Sequence, residues 1–186
     1  MTTRRRLPPQ KLGSLIGAVF GLVFVVVNSA SSPTLLRLAF CVAAAAAAIT
    51  VLVGIARNPV ATVPAGVTPF GRGYVVIVLA EVVLLFVGIR IVAGPLGLPE
   101  AGVAWVAVVV GVHFVVLARL WHLRLFDVLG SVLTVLGVLG FVLAVAGSDR
   151  MWIDIVAGVA SGAVLLEFAR RGVRREGGRQ RRRTSA

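Results

Sequence analysis

The sequence has few charged residues and a single cysteine, and each shortage excludes a class of protein. Charged residues make up only 14% of the 186 residues, whereas soluble domains contain about a quarter. With 59% hydrophobic residues and a mean hydropathy of +1.01, the chain is too apolar for a soluble domain. Cys41 alone cannot form an internal disulfide or a cysteine-based zinc site.

Signatures of common enzymes are also absent from the sequence. No serine lies in a Gly-x-Ser-x-Gly elbow, and neither HExxH nor a Walker A loop occurs. No His, Cys and carboxylate residues have metal-ligand spacing, so we expect neither a metal site nor a cofactor. The acidic residues Glu100, Asp149 and Asp154, which the orientation derived below places on the outer side of the membrane, are too scattered to act as a general acid and base. The sequence therefore predicts a protein without enzymatic activity.

Six apolar runs are long enough for a helix to cross a bilayer, which takes about 20 residues. They predict one all-α transmembrane domain over 12–169, a bundle of six helices. The spans are predicted at 12–30, 34–57, 74–93, 101–119, 126–146 and 152–169. A cleaved signal peptide is the alternative interpretation of the first run, because a basic start and small residues at its end are typical of one.

The basic residues predict how the chain is oriented in the membrane and which type of membrane it crosses. Of the 19 Lys and Arg residues, 16 lie in the N-terminal segment 1–11, the 57–73 loop, the 119–124 hinge and the tail 170–186. The positive-inside rule therefore predicts that both termini are cytoplasmic. The 18 arginines against one lysine are typical of a GC-rich bacterial genome, so we expect a bacterial plasma membrane.

The tail 170–186 holds eight arginines. We expect it to be disordered, because blocks of like charge repel one another, and to contact anionic lipid headgroups. It contains no aromatic residue for base stacking, and orientation already explains the net charge of +12. We therefore do not expect nucleic acid as a partner.

Small residues recur at four-residue spacing in the first and last spans. Gly13, Gly17 and Gly21 lie on one face of the first span, and Gly158 and Gly162 on one face of the last. In lipid, such faces allow a neighbouring backbone to approach closely. They predict packing surfaces, either within the chain or against a second copy or a membrane partner protein.

Few ionisable or polar residues lie inside the predicted spans. Glu81 in the third span and His113 in the fourth are each about 10 Å from the cytoplasmic end by helix rise. Their similar depth allows contact between the two helices. In the fifth span, Asp127, Ser131 and Thr134 are spaced i, i+4 and i+7 and form one polar stripe.

Ionisable residues inside a membrane are costly and indicate function by default. A histidine beside a carboxylate can exchange protons near neutral pH. We therefore predict a polar site, open to the cytoplasm, that moves or senses protons or a small solute. The alternative is that these residues hold helices together, that Asp127 pairs with Arg119 or Arg124, and that the protein is an accessory or structural subunit.

All eight prolines lie outside the predicted spans. Many secondary transporters bind substrate at helices interrupted by glycine or proline. The sequence gives no proline break of this kind, which argues against substrate binding at a broken helix.

The fourth span contains Gly111-x-His113-Phe114-x-x-Leu117-Ala118, followed by Gly130. This pattern resembles a motif of uncharacterised small multi-pass membrane proteins of bacteria. A proline often stands two positions after the phenylalanine in that group, whereas this chain has Val116. The resemblance implies a compact helical membrane fold and no particular activity.

Overall fold

A computed structural model describes residues 9–57, 72–121 and 124–184, which form helices joined by short turns and contain no β-strand. Helices α1 to α5 are Pro9–Asn28, Thr34–Arg57, Arg72–Ala93, Gly102–Trp121 and Arg124–Val145. A 3₁₀ helix, Pro99–Ala101, precedes α4. Helix α6, Arg150–Ile153, continues through a π-helical segment, Asp154–Val159, into α7, Ala160–Thr184. The residues before Pro9, most of the predicted 57–73 loop and His122 lie outside the described residues.

Five helical stretches of the described chain are long and apolar enough to cross a membrane. They are Thr34–Arg57, Gly73–Ala93, Pro99–Leu120, Arg124–Val145 and Arg150–Arg174. The apolar part of α1, Gly13–Asn28, is shorter. Large apolar side chains face outward, as expected of a surface in contact with lipid. The predicted all-α, multi-pass membrane fold is confirmed, whereas the number of six spans stays a prediction.

The helices have two distinct ends. We call one the short-turn end, because the turns 29–33, 94–98 and 146–149 join neighbouring helices there. The turn after α5 is a Schellman motif, in which Ser148 N–H donates to Leu143 C=O and Gly147 N–H to Ala144 C=O. Gly147 has a φ of 71°, a conformation that glycine adopts without strain. We call the other end the basic end; it carries Arg57, Arg119, Arg124 and Arg170.

Helices α1 and α7 pack through the small-residue faces that the sequence predicts. A Cβ atom built on Gly21 lies 2.8 Å from the carbonyl oxygen of Gly162, and one built on Gly162 lies 2.6 Å from that of Gly21. Gly17 faces Ala169, and Gly158 faces the side chain of Asn28. Gly13 differs, because no atom of the described residues lies within 4 Å of its Cβ position. The two faces therefore pack on each other within one chain.

A second close pair, α4 with α5, has glycines that the sequence analysis does not single out as a packing face. A Cβ on Gly130 lies 2.5 Å from the Gly111 carbonyl oxygen, and one on Gly137 lies 2.8 Å from the Ala104 carbonyl oxygen. The two backbones are therefore almost in contact. Helix α3 packs against α4 on the other side, where the indole N–H of Trp105 donates to the Leu84 carbonyl at 2.9 Å. Gly88 makes room for this indole.

The structure contradicts the disorder predicted from Arg170 onward, because α7 continues to Thr184. Arginine favours helices among the polar residues. Glu167 accepts hydrogen bonds of 2.8 Å from Nε of Arg170 and of Arg171, at the i+3 and i+4 spacing that stabilises a helix. Val173 is buried against Gly54 of α2. These contacts continue the helix beyond the predicted end of the last span.

The last span is not a regular α-helix throughout. Residues Asp154–Val159 form a π-helix, and Ala160 N–H donates to the carbonyl of Ile155, five residues back. The wider turn lies between α1, α4 and α5 and packs against all three. The segment contains Gly158 but no proline, so the prolines of the sequence do not reveal it. Such π segments are frequent at functional sites.

Candidate functional site

Glu81 and His113 meet at the interface of α3 and α4. The Nδ1 atom of His113 lies 3.1 Å from Oε2 of Glu81. Gly111 faces α5, and two further residues turn the helix by about 200°, which directs His113 toward α3. The two residues lie near the middles of their helices. Glu81 and His113, which helix rise predicts to lie at similar depths, are therefore in direct contact.

The pair is largely buried but incompletely hydrogen-bonded. Only 11% of the His113 side chain and 19% of the Glu81 side chain are exposed. Although Nδ1 is close to the carboxylate, it forms no directional hydrogen bond to any described residue. The imidazole packs edge-on against Phe114, with ring centroids 5.7 Å apart. A buried polar atom without a hydrogen bond is costly.

The stripe predicted on α5 does not join this pair. Asp127 lies 3.7 Å from Nε of Arg119, and both side chains are well exposed. Ser131 is exposed, and the Thr134 hydroxyl donates to the Gly130 carbonyl within its own helix at 2.8 Å. Within the described ranges, no hydrogen bond or ion pair links these three residues to Glu81 or His113. Asp127 thus pairs with Arg119, which is the alternative that the sequence analysis gives to a role in the polar site.

A second polar region lies at the short-turn end, where the sequence predicts no general acid and base among Glu100, Asp149 and Asp154. Glu100 and Asp154 line one cleft of about 300 Å³, while Asp149 is not part of its lining. Asn28 and Arg150 line the same cleft. The i, i+4 spacing of Arg150 and Asp154, and a lone Asn28 at the end of an apolar run, were the sequence signals for it.

No model of a known family, no curated protein and no solved structure matches this chain. The resemblance of the Gly111–Gly130 motif to small bacterial membrane proteins therefore stays a prediction. Function has to be argued from the two polar regions themselves.

Proposed function

We propose that this chain is a non-enzymatic protein of a bacterial plasma membrane that crosses the bilayer six times, with both termini in the cytoplasm. Five long apolar helices and the packing of α1 against α7 support six spans. The concentration of arginine at one end supports the orientation. In this orientation the basic end is cytoplasmic, and the arginines of α7 contact anionic headgroups.

Its function, in this proposal, is proton transfer within the membrane, alone or coupled to a small solute, through Glu81 and His113. The observation that carries it is the 3.1 Å separation of Nδ1 and Oε2 between the middles of two apolar helices. A carboxylate and an imidazole at this distance can pass a proton between them. The imidazole suits this role because its ordinary titration lies near neutral pH.

The packing of the glycine faces argues against the accessory-subunit alternative. That hypothesis assigns the faces of Gly17, Gly21 and Gly162 to a partner protein. In the structure these faces lie against each other inside one chain. Of the five predicted packing glycines, Gly13 alone has no described atom within 4 Å of its Cβ position, and a single open glycine is too small a surface for stable association.

Proton flux into liposomes tests the proposal. The purified protein is reconstituted with a trapped pH dye, a membrane potential drives proton entry, and wild type is compared with Glu81→Gln. We expect wild-type flux above that of empty liposomes and a return to that background in the variant. Asp127→Asn is the matched control, because Asp127 is an exposed carboxylate on a different helix face, and it should retain flux. Equal flux in wild type and Glu81→Gln, or no flux in wild type, contradicts the proposal.

A further inference from the structure

Trp105 lies on the same face of α4 as His113, about two helical turns nearer the short-turn end. Its indole N–H donates to the Leu84 carbonyl of α3 at 2.9 Å, and its ring lies directly against Gly88. Gly88 follows Glu81 by seven residues on α3, which is about 10 Å by helix rise. The indole therefore closes the α3–α4 interface between the Glu81–His113 pair and the short-turn end.

The indole is one part of a continuous apolar layer at this level of the bundle. On α5, the Phe141 ring meets it edge-on, with the ring centroids 6.4 Å apart and the ring planes at 82°. Trp105 and Phe141 pack on a buried cluster to which α3, the 3₁₀ helix, α5 and α6 contribute. A tightly packed apolar layer offers water neither space nor hydrogen-bond partners. The buried members of the cluster are Val92, Ala101, Ala144 and Ile153.

The helix surface on the two sides of the pair is covered to different degrees. Toward the short-turn end, Val109 lies one turn from both Trp105 and His113 and is only 5% exposed. Toward the basic end, Val116 and Leu120 lie on the same side of α4, and they are 41% and 47% exposed. The pair is therefore closed off by packed side chains on one side and much less so on the other.

We propose that Trp105 seals the Glu81–His113 pair from the short-turn end, so that in this conformation the pair exchanges protons with the basic end alone. This inference rests on the proposed function, because it specifies the side from which that site is reached. The indole is a barrier and takes no part in proton transfer, since its N–H is only a donor. Passage of a proton to the short-turn end requires the ring to leave Gly88 and to break its hydrogen bond to the Leu84 carbonyl.

Cysteine accessibility tests the seal without any measurement of proton flux. In the full-length protein with Cys41→Ala, Glu81→Cys places a thiol at the site. A small cationic methanethiosulfonate that does not cross membranes is added to one side of sealed vesicles at a time. Leu96→Cys in a short turn and Arg124→Cys at the basic end, each introduced alone, identify the two sides. We expect the thiol at position 81 to react from the basic side only.

Trp105→Ala should open the route from the short-turn side. Removing the indole leaves a cavity beside the freed Leu84 carbonyl, and a cavity with space and polar groups admits water. We expect reaction from the short-turn side to become measurable while the rate from the basic side stays unchanged. Trp105→Phe keeps an apolar ring in the layer and should keep the seal. Trp152→Ala is the matched control, because Trp152 is an exposed tryptophan of the same end, and it should leave both rates unchanged.

Three outcomes overturn the seal. The first is reaction at position 81 from the short-turn side while Trp105 is present, and the second is no reaction from the basic side. The third is a Trp105→Ala variant, with the wild-type size-exclusion profile, whose labelling stays one-sided or rises equally from both sides. Because labelling needs no proton transfer, one-sided labelling without proton flux would contradict the proposed function and not the seal.

Discussion

The side chains of Glu81 and His113 are held close together by two helices without being fully hydrogen-bonded. The distance between Nδ1 and Oε2 is short, yet Nδ1 has no directional hydrogen bond. A purely structural pair gains most when every polar atom is satisfied. An incompletely satisfied pair therefore contributes less to stability than a fully hydrogen-bonded one.

Shortening the Glu81 side chain by one methylene tests whether its contact with His113 matters as well as its negative charge. Glu81→Asp keeps the acid but withdraws its oxygens from His113. We expect proton flux to fall strongly, by up to about 100-fold, since misplacement of a reacting group by about 1 Å has this effect. Asp127→Glu is the control and should leave flux unchanged. Wild-type flux in Glu81→Asp would show that the contact is not required.

The sequence shows that contact between Glu81 and His113 is allowed, because helix rise fixes depth along the axis. It does not predict that Asp127, Ser131 and Thr134 lie elsewhere. Spacing along one helix shows which residues lie on the same face, but not which neighbouring helix packs against that face. That depends on the arrangement of the helices, which periodicity leaves open.

At the scale of helices, glycine determines which pairs come into close contact. The four-residue spacing of Gly17 and Gly21 predicts a packing face, and the structure shows its occupant to be α7. The equally close α4–α5 pair is absent from the sequence analysis, although Gly130 and Gly137 are seven residues apart on one face. The π segment is harder to foresee, because no proline marks it and Gly158 within it is one of 21 glycines in the chain.

Replacing Gly21 tests the role of the α1–α7 contact. A Cβ at Gly21 meets the Gly162 carbonyl and Leu166 at 2.8 Å, so Gly21→Ala should lower the free energy of unfolding by about 1–3 kcal/mol, as overpacking does. Gly13→Ala, which meets nothing within 4 Å, should leave it unchanged or raise it slightly. Unfolding in mixed micelles measures both. Unaltered stability of Gly21→Ala with altered oligomeric state would instead support a partner surface.

Gly88 gives a similar test for the α3–α4 pair. A methyl group there overlaps the indole of Trp105, so Gly88→Ala should break the hydrogen bond to Leu84. We expect a shift in Trp105 emission, measured after Trp121 and Trp152 are replaced by Phe. Gly73→Ala on the same helix meets only Leu120, at 3.9 Å, and should leave the spectrum unchanged. An unchanged spectrum in Gly88→Ala contradicts this packing.

At the scale of the whole molecule, composition predicts the membrane class, and the order of apolar runs predicts the helices. Helix α2 covers the same residues as the predicted second span. The cleft of Glu100 and Asp154 escapes prediction because it joins residues from distant parts of the chain. Only the folded arrangement of α1, α4 and the last span brings them to one place.

The proposed topology predicts which positions face the outside of the cell. After Cys41→Ala removes the native thiol, single cysteines are introduced at Thr3, Leu96 and Ser185. A membrane-impermeant maleimide should label only the Leu96 position in intact cells, because six spans place both termini inside. All three should be labelled after permeabilisation. Labelling of the Thr3 position in intact cells would contradict the orientation.

The most direct measurement for the central claim is a double-mutant cycle of proton flux for Glu81→Gln, His113→Gln and the double variant. If the two residues act as one unit, each single variant loses as much flux as the double variant, because effects within a unit are not additive. Each variant must show the wild-type helicity and size-exclusion profile. Independent, multiplying effects of the two changes would contradict the claim that Glu81 and His113 transfer protons together.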